Sequence, residues 1–88
     1  MAVKGMDVEA GRQSAVTIQR GSEQLTQITT QLTQSINGFD WKGPDADRTR
    51  QTWESEHKRN LMQTVESLKQ FSQLINRQAQ EQEKVSNA

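Results

Sequence analysis

The sequence predicts an all-α fold, an antiparallel helix-turn-helix hairpin that dimerises into a four-helix bundle. Apolar residues recur at spacings of three, four and seven in both halves, and no stretch alternates with period two. The helix breakers Asn37-Gly38 and Gly43-Pro44 lie near the midpoint, with Trp41 between them. The chain has 88 residues, of which 31% are hydrophobic, so it forms one small domain with little apolar material. A partner chain is therefore expected to complete the core.

The first helix is predicted over about residues 7–37. Asp7 is the expected N-cap, and Asn37-Gly38 is a stop signal. Gly11, Gly21 and several threonines lower the intrinsic helix propensity, so packing must stabilise this helix. Its predicted core and dimer residues share one helical face and are Ile18, Leu25, Ile28, Leu32 and Ile36.

The turn is predicted at residues 38–43, the second helix at about 44–82, and a flexible tail at 83–88. Pro44 suits the first helical turn, and Asp45 and Asp47 favour the positive end of the helix dipole. The predicted core and dimer residues of this helix are Trp53, Leu61, Val65, Leu68, Phe71 and Ile75. The apolar stripes also contain Ala15, Ala46 and Ala79, and Ser72 is an alternative to Phe71.

Composition disfavours several classes of function. Eleven basic and eleven acidic residues cancel, so the basic excess typical of nucleic-acid binding is missing. There is no cysteine and only one histidine, His57, so neither a metal nor another cofactor is expected. His57 is interpreted as an edge residue of the helical seam or a pH-sensitive interface contact. Serine, aspartate and histidine lie on helix surfaces without a catalytic motif, so the protein is not expected to be an enzyme.

Neither membrane insertion nor a cleaved leader is expected from the sequence. No apolar run approaches the length that spans a bilayer, and the stripes are narrow and interrupted by Thr and Ser. Residues 1–11 lack the apolar core and the small-residue cleavage site of a secretory signal peptide. Export would therefore use a leaderless route.

The central turn resembles that of the WXG family of early-secreted-antigen-like proteins. Trp41-Lys42-Gly43 is followed by Pro44-Asp45-Ala46-Asp47 and Trp53, as in actinobacterial members, and the Gln/Glu-rich tail at 78–83 with Ser86 is similar to theirs. The resemblance implies a four-helix bundle, formed by two copies or with a sister WXG-type protein. It also implies synthesis in the bacterial cytoplasm and leaderless secretion by a type VII (ESX) system, with the secretion ATPase as a partner. Trp41 and Gly43 would form the secretion and turn motif, close to the partner's tail.

One departure from the family concerns the tail. The chain has no tyrosine, so the usual Tyr-x-x-x-Asp/Glu export element is absent, and Arg77 with Glu81, or Ala79 with Glu83, keeps only its spacing. Either the tail is read differently or a partner supplies the signal. Two further interpretations stay open, a targeting chaperone for a larger substrate and an intracellular coiled-coil adaptor.

The two motif residues each have two interpretations. Trp41 can cap the end of the bundle, with its indole N–H left to water, or present a recognition surface. Gly43 is predicted either because a side chain would crowd Trp41 or because the backbone angle requires glycine.

Overall fold

The computed structural model describes residues 5–87, which form a helical hairpin of two long arms. The first arm is α1 (Val8–Asn37). The second contains α2 (Pro44–Thr52), a π-turn (Trp53–His57) and α3 (Lys58–Asn87) without interruption. The arms are antiparallel, since Ser72 contacts Ala15 near the open end and Trp53 contacts Thr33 nearer the turn. The radius of gyration is 19.8 Å, against about 12 Å for a compact domain of this length, so the hairpin is a rod.

Local hydrogen bonds cap both ends of helix α1. Asp7 has an extended backbone, and its side chain accepts a hydrogen bond of 3.1 Å from the Ala10 N–H. This confirms Asp7 as the N-cap. At the other end the Gly38 N–H donates to the Ser35 carbonyl at 3.4 Å. Threonine hydroxyls in between donate to carbonyls one turn earlier, which satisfies them within the helix.

The seam between the arms is built mainly from small side chains. Its buried residues are Ala15, Ser22, Thr29, Ala46, Val65, Ser72 and Ala79. Small residues let two helices approach closely, and the Ser72 hydroxyl accordingly donates to the Ala15 carbonyl across the seam at 2.7 Å. The buried Ser22 and Thr29 hydroxyls donate to carbonyls of their own helix, both at 2.7 Å. Within the described residues no buried side-chain polar atom lacks a hydrogen-bond partner.

The larger apolar residues predicted to pack lie beside this seam. Val65 is the one member of the predicted set that is buried in the single hairpin. Ile28, Leu32 and Phe71 are exposed, at 47%, 41% and 53%. The half-buried members are Ile18, Leu25, Ile36, Trp53, Leu61, Leu68 and Ile75. Small residues occupy the line along which the two arms approach most closely, so the bulkier predicted residues lie at the edge of the seam. Ser22 and Thr29 take core positions that the sequence did not predict.

One face of the hairpin is apolar and the opposite face is polar. With about 3.6 residues per turn, the residue three places after a seam residue lies on one side of the seam, and the residue four places after lies on the other. The first position is apolar after five of the seven buried seam residues, the exceptions being Thr49 and Gln82, and the second position is polar after all seven. In an antiparallel pair of helices, equivalent sides share one face. Gln19 and Asn76, from the polar side of each arm, accordingly line one groove. The apolar face comprises Ile18, Leu25, Ile28, Leu32, Leu68, Phe71 and Ile75.

The predicted second helix differs from the structure in two ways. Trp53–His57 is a π-turn, and it keeps Ala46 and Val65 in the seam although they are 19 residues apart. Five α-helical turns take only about 18 residues, so the wider turn absorbs the extra one.

The second difference concerns the tail. The helix was predicted to end at about Gln82, before a tail at 83–88, but it continues to Asn87. The sequence contains no breaker after Pro44, and the Glu83 carboxylate pairs with the Arg12 guanidinium of α1 at 3.0 Å. Ala88 lies outside the described residues.

Candidate functional site

The hairpin tip, residues 38–43 with the start of α2, contains both predicted motif residues. Gly43 is the N-cap of α2 and has φ 115° and ψ 175°. Residues with a side chain rarely adopt these φ and ψ angles, which occur almost only at glycine. A Cβ atom at Gly43 would meet nothing within 4 Å. Of the two reasons for glycine, the structure therefore supports the backbone angle and not crowding of Trp41.

The first turn of α2 follows directly from this geometry. Pro44 occupies the first helical position, where its missing N–H removes no hydrogen bond. The Asp47 N–H donates to the Gly43 carbonyl at 3.0 Å, which closes the first turn. Gly43 and Pro44 thus reverse the chain within a very short segment and leave residues 39–42 at the end of the rod.

Trp41 forms an aromatic pair with Phe39. The two rings are stacked, with centroids 5.7 Å apart and planes inclined by 11°. Phe39 is 56% exposed, while Trp41 is half-buried. Stacked aromatic pairs bring a large apolar area into one place. The tip therefore presents a joint aromatic surface, of which the sequence identified Trp41 but not Phe39.

Arg50 ties this aromatic pair to the end of α1. Its guanidinium donates three hydrogen bonds, from Nε to the Ile36 carbonyl at 3.1 Å, from Nη1 to the Trp41 carbonyl at 2.8 Å and from Nη2 to the Phe39 carbonyl at 3.0 Å. The guanidinium carbon is also 5.7 Å from the centroid of each ring, within the range of a cation–π contact. Sequence reasoning missed Arg50, because nothing in the local pattern sets it apart from the neighbouring arginine.

Trp53 lies at the edge of the seam and not in the tip. Its indole N–H donates to the Thr33 hydroxyl of α1 at 2.9 Å, and the ring is half-buried. The His57 ring lies 6.4 Å from it, with its side chain exposed. The structure thus places Trp53 against α1. It does not place His57 inside the seam.

The surface of the described residues has open grooves and no cluster of metal-ligating side chains. Within residues 5–87, no group of three or more His, Cys, Asp or Glu residues is arranged to hold a metal ion. In the same range, no helix combines the length and apolarity needed to cross a bilayer. The concavities are open grooves on helix surfaces, such as the one lined by Ile36, Thr52 and His57.

No protein-family model, curated protein or solved structure matches this chain. Function is therefore inferred from the geometry of the tip and of the apolar face, together with the resemblance of the Trp41 turn.

Proposed function

We propose that this protein is a non-catalytic substrate or co-substrate of a type VII (ESX) secretion system, recognised through its hairpin tip. The observation that carries the proposal is the stacked Phe39–Trp41 pair, held at the end of the rod on a turn that needs glycine at position 43. Tryptophan residues that are partly exposed and fixed in place are efficient recognition groups. The resemblance of residues 41–47 to the WXG family points to the secretion machinery as the partner.

The apolar face supports association into a four-helix bundle, with a second copy or a sister protein. The hairpin exposes 6829 Å² of surface, whereas a compact protein of this mass exposes about 5,200 Å². A stable interface removes roughly 800 Å² from each partner. The excess surface is ample for such an interface, and Ile28, Leu32 and Phe71 are exposed along the apolar face that the proposed interface would cover.

Export of a Trp41→Ala variant tests the recognition proposal. The protein would be expressed in a host with a working type VII system and measured in the culture medium and in cells. We expect export to fall at least about tenfold, equivalent to losing about 1.4 kcal/mol of binding, with helicity and oligomeric state unchanged. Trp53→Phe is the matched control, because it alters the other tryptophan away from the tip. Normal export of Trp41→Ala would refute recognition through the tip.

A pair of charge substitutions tests the bundle. Leu32→Glu places a carboxylate on the apolar face, whereas Thr30→Glu places one on an exposed position of α1 outside that face. Burying an unpaired charge at an interface is costly, so Leu32→Glu is expected to convert the dimer to monomer in analytical ultracentrifugation. Thr30→Glu should sediment like the parent. A parent protein that is monomeric at high micromolar concentration, alone and with candidate sister proteins, would contradict the bundle.

A second candidate is a targeting chaperone that pairs with a larger secreted protein. The lack of tyrosine favours it, because the usual tail signal would then come from the partner. Co-expression with candidate partners, followed by sizing and export assays, distinguishes the two. A substrate leaves the cell with a second copy or a sister protein, whereas a chaperone requires the larger chain.

A further inference from the structure

The Arg50 guanidinium joins three parts of the chain that would otherwise be held together only by the backbone of the turn. Ile36 lies in the last turn of α1, where helix carbonyls lack partners within the helix. Phe39 and Trp41 lie in the loop, and Arg50 itself lies in the last turn of α2. All three acceptors are backbone carbonyls, so the same side chain fixes the end of one arm and the path of the loop relative to the other.

Arginine has the geometry that this arrangement requires. Its planar guanidinium carries five N–H groups in a fixed fork, and three of them, one on each nitrogen, reach separate carbonyls here. The same plane lies near both aromatic rings. A lysine ammonium is a point charge that lacks this planar fork, so it cannot reproduce all three bonds together with the ring contacts.

We infer that Arg50 is the positioning residue of the tip, and that the recognised unit is Phe39, Trp41 and Arg50 together and not the Trp-x-Gly tripeptide alone. Without the guanidinium, the loop carbonyls of Phe39 and Trp41 lose the side chain that fixes their direction, and the ring stack loses the cation beside it. The loop then samples several conformations while the seam, which does not include Arg50, stays folded. The recognition part of this inference rests on the proposed function, whereas the positioning part does not.

The first measurement concerns the purified full-length protein. Arg50→Lys is compared with Arg48→Lys, a matched control two residues earlier whose guanidinium makes only an exposed ion pair with Asp45 at 3.7 Å. Both are made in a Trp53→Phe background, so that Trp41 is the one source of tryptophan signal. We expect Arg50→Lys to lose near-ultraviolet circular dichroism, and its amides at residues 38–43 to exchange at least about tenfold faster. Arg48→Lys should match the background protein.

Two controls separate local loosening from general unfolding. Far-ultraviolet circular dichroism and amide exchange of the seam residues Ala15, Ser22, Val65 and Ser72 should be unchanged in Arg50→Lys, because these residues are remote from the tip. Arg50→Gln is measured in parallel as a second variant, so that a folding defect peculiar to lysine does not decide the outcome. A tip that stays as ordered in both Arg50 variants as in Arg48→Lys would overturn the inference, whatever happens to export.

The second measurement is export of Arg50→Lys beside Trp41→Ala, each with Trp53 intact. Loss of export in both, with a loosened tip in Arg50→Lys, supports the inference and the proposed function together. Normal export of Arg50→Lys beside failed export of Trp41→Ala overturns Arg50 as part of the recognised unit and leaves the proposed function standing. Normal export of both variants overturns recognition through the tip, while the positioning role of Arg50 is supported by the loosened tip.

Discussion

Deleting one residue from the π-turn is expected to leave the fold intact, although deletions inside helices usually disrupt packing. The perturbation is removal of Ser55, an exposed residue in the middle of Trp53–His57. Ala46 and Val65 are then 18 residues apart, which corresponds to five regular α-helical turns. Both keep their seam positions, and the wide turn becomes an ordinary one. The Ser55 hydroxyl bonds only to the exposed Gln51 carbonyl, so its loss matters little.

Deletion of Gln70 from α3 is the matched control, because it removes one exposed residue from a segment without a wide turn. Each residue beyond the deletion rotates by roughly 100°. Gln73 and Gln80 then reach the seam where Ser72 and Ala79 lie, or else Val65 leaves it. Two long polar side chains forced into a close-packed seam cost about 1–3 kcal/mol each. We expect removal of Ser55 to change the free energy of unfolding by less than about 1 kcal/mol, and removal of Gln70 to cost several.

Urea denaturation followed by circular dichroism at a fixed protein concentration measures both free energies. The concentration is held constant because the proposed self-association would add to the apparent stability. Equal destabilisation by the two deletions would contradict this prediction. It would mean that the π-turn does not correct the helical phase between the seam residues of α2 and α3. Greater destabilisation by the Ser55 deletion would assign the wide turn a stabilising role of its own.

Three further predictions concern single substitutions. Gly43→Ala should lower the free energy of unfolding by about 1–3 kcal/mol in urea titrations, because its backbone region is nearly exclusive to glycine even though a Cβ has space; an unchanged midpoint would contradict this. Gly21→Ala should raise the free energy of unfolding of the dilute protein by about 0.5–1 kcal/mol through helix propensity, measured as a higher melting temperature. It should also weaken self-association in sedimentation, since the open space there lies beside the apolar face; tighter association would refute that. Ser72→Leu should destabilise by at least about 2 kcal/mol in urea by overfilling the seam, whereas Ser72→Ala should cost only about 1 kcal/mol for the bond to Ala15; equal losses would contradict the close approach.

Local signals explain why the two-arm hairpin and the start of α1 could be predicted from the sequence. Helical periodicity, the Asp7 cap and the central breakers act over a few residues, so they can be read without knowing the fold. The buried seam could not be read in the same way. Ser22 and Thr29 score as polar, yet their hydroxyls are satisfied by their own helix and their small size suits the closest approach. Hydrophobicity instead predicted as core the larger residues, which lie at the edge of the seam.

The candidate site was predictable to the extent that it depends on the backbone of the turn. Gly43 and Trp41 stand out because a glycine and a tryptophan interrupt a polar segment between helices. Arg50 and Phe39 do not stand out, since their roles depend on carbonyls and rings that only the folded turn brings together. The π-turn at Trp53–His57 likewise depends on the helical phase between seam residues that are far apart in the sequence. Local helix propensity does not predict it.

The slender shape of the hairpin has a consequence for the export proposed above. With principal extents of 69 × 17 × 15 Å, its end-on profile is little wider than two adjacent helices. A four-helix assembly with the same long axis has about twice that cross-sectional area. A conduit that admits one folded hairpin lengthwise can therefore be too narrow for the pair, so the diameter of the passage would determine whether the chains cross singly or together.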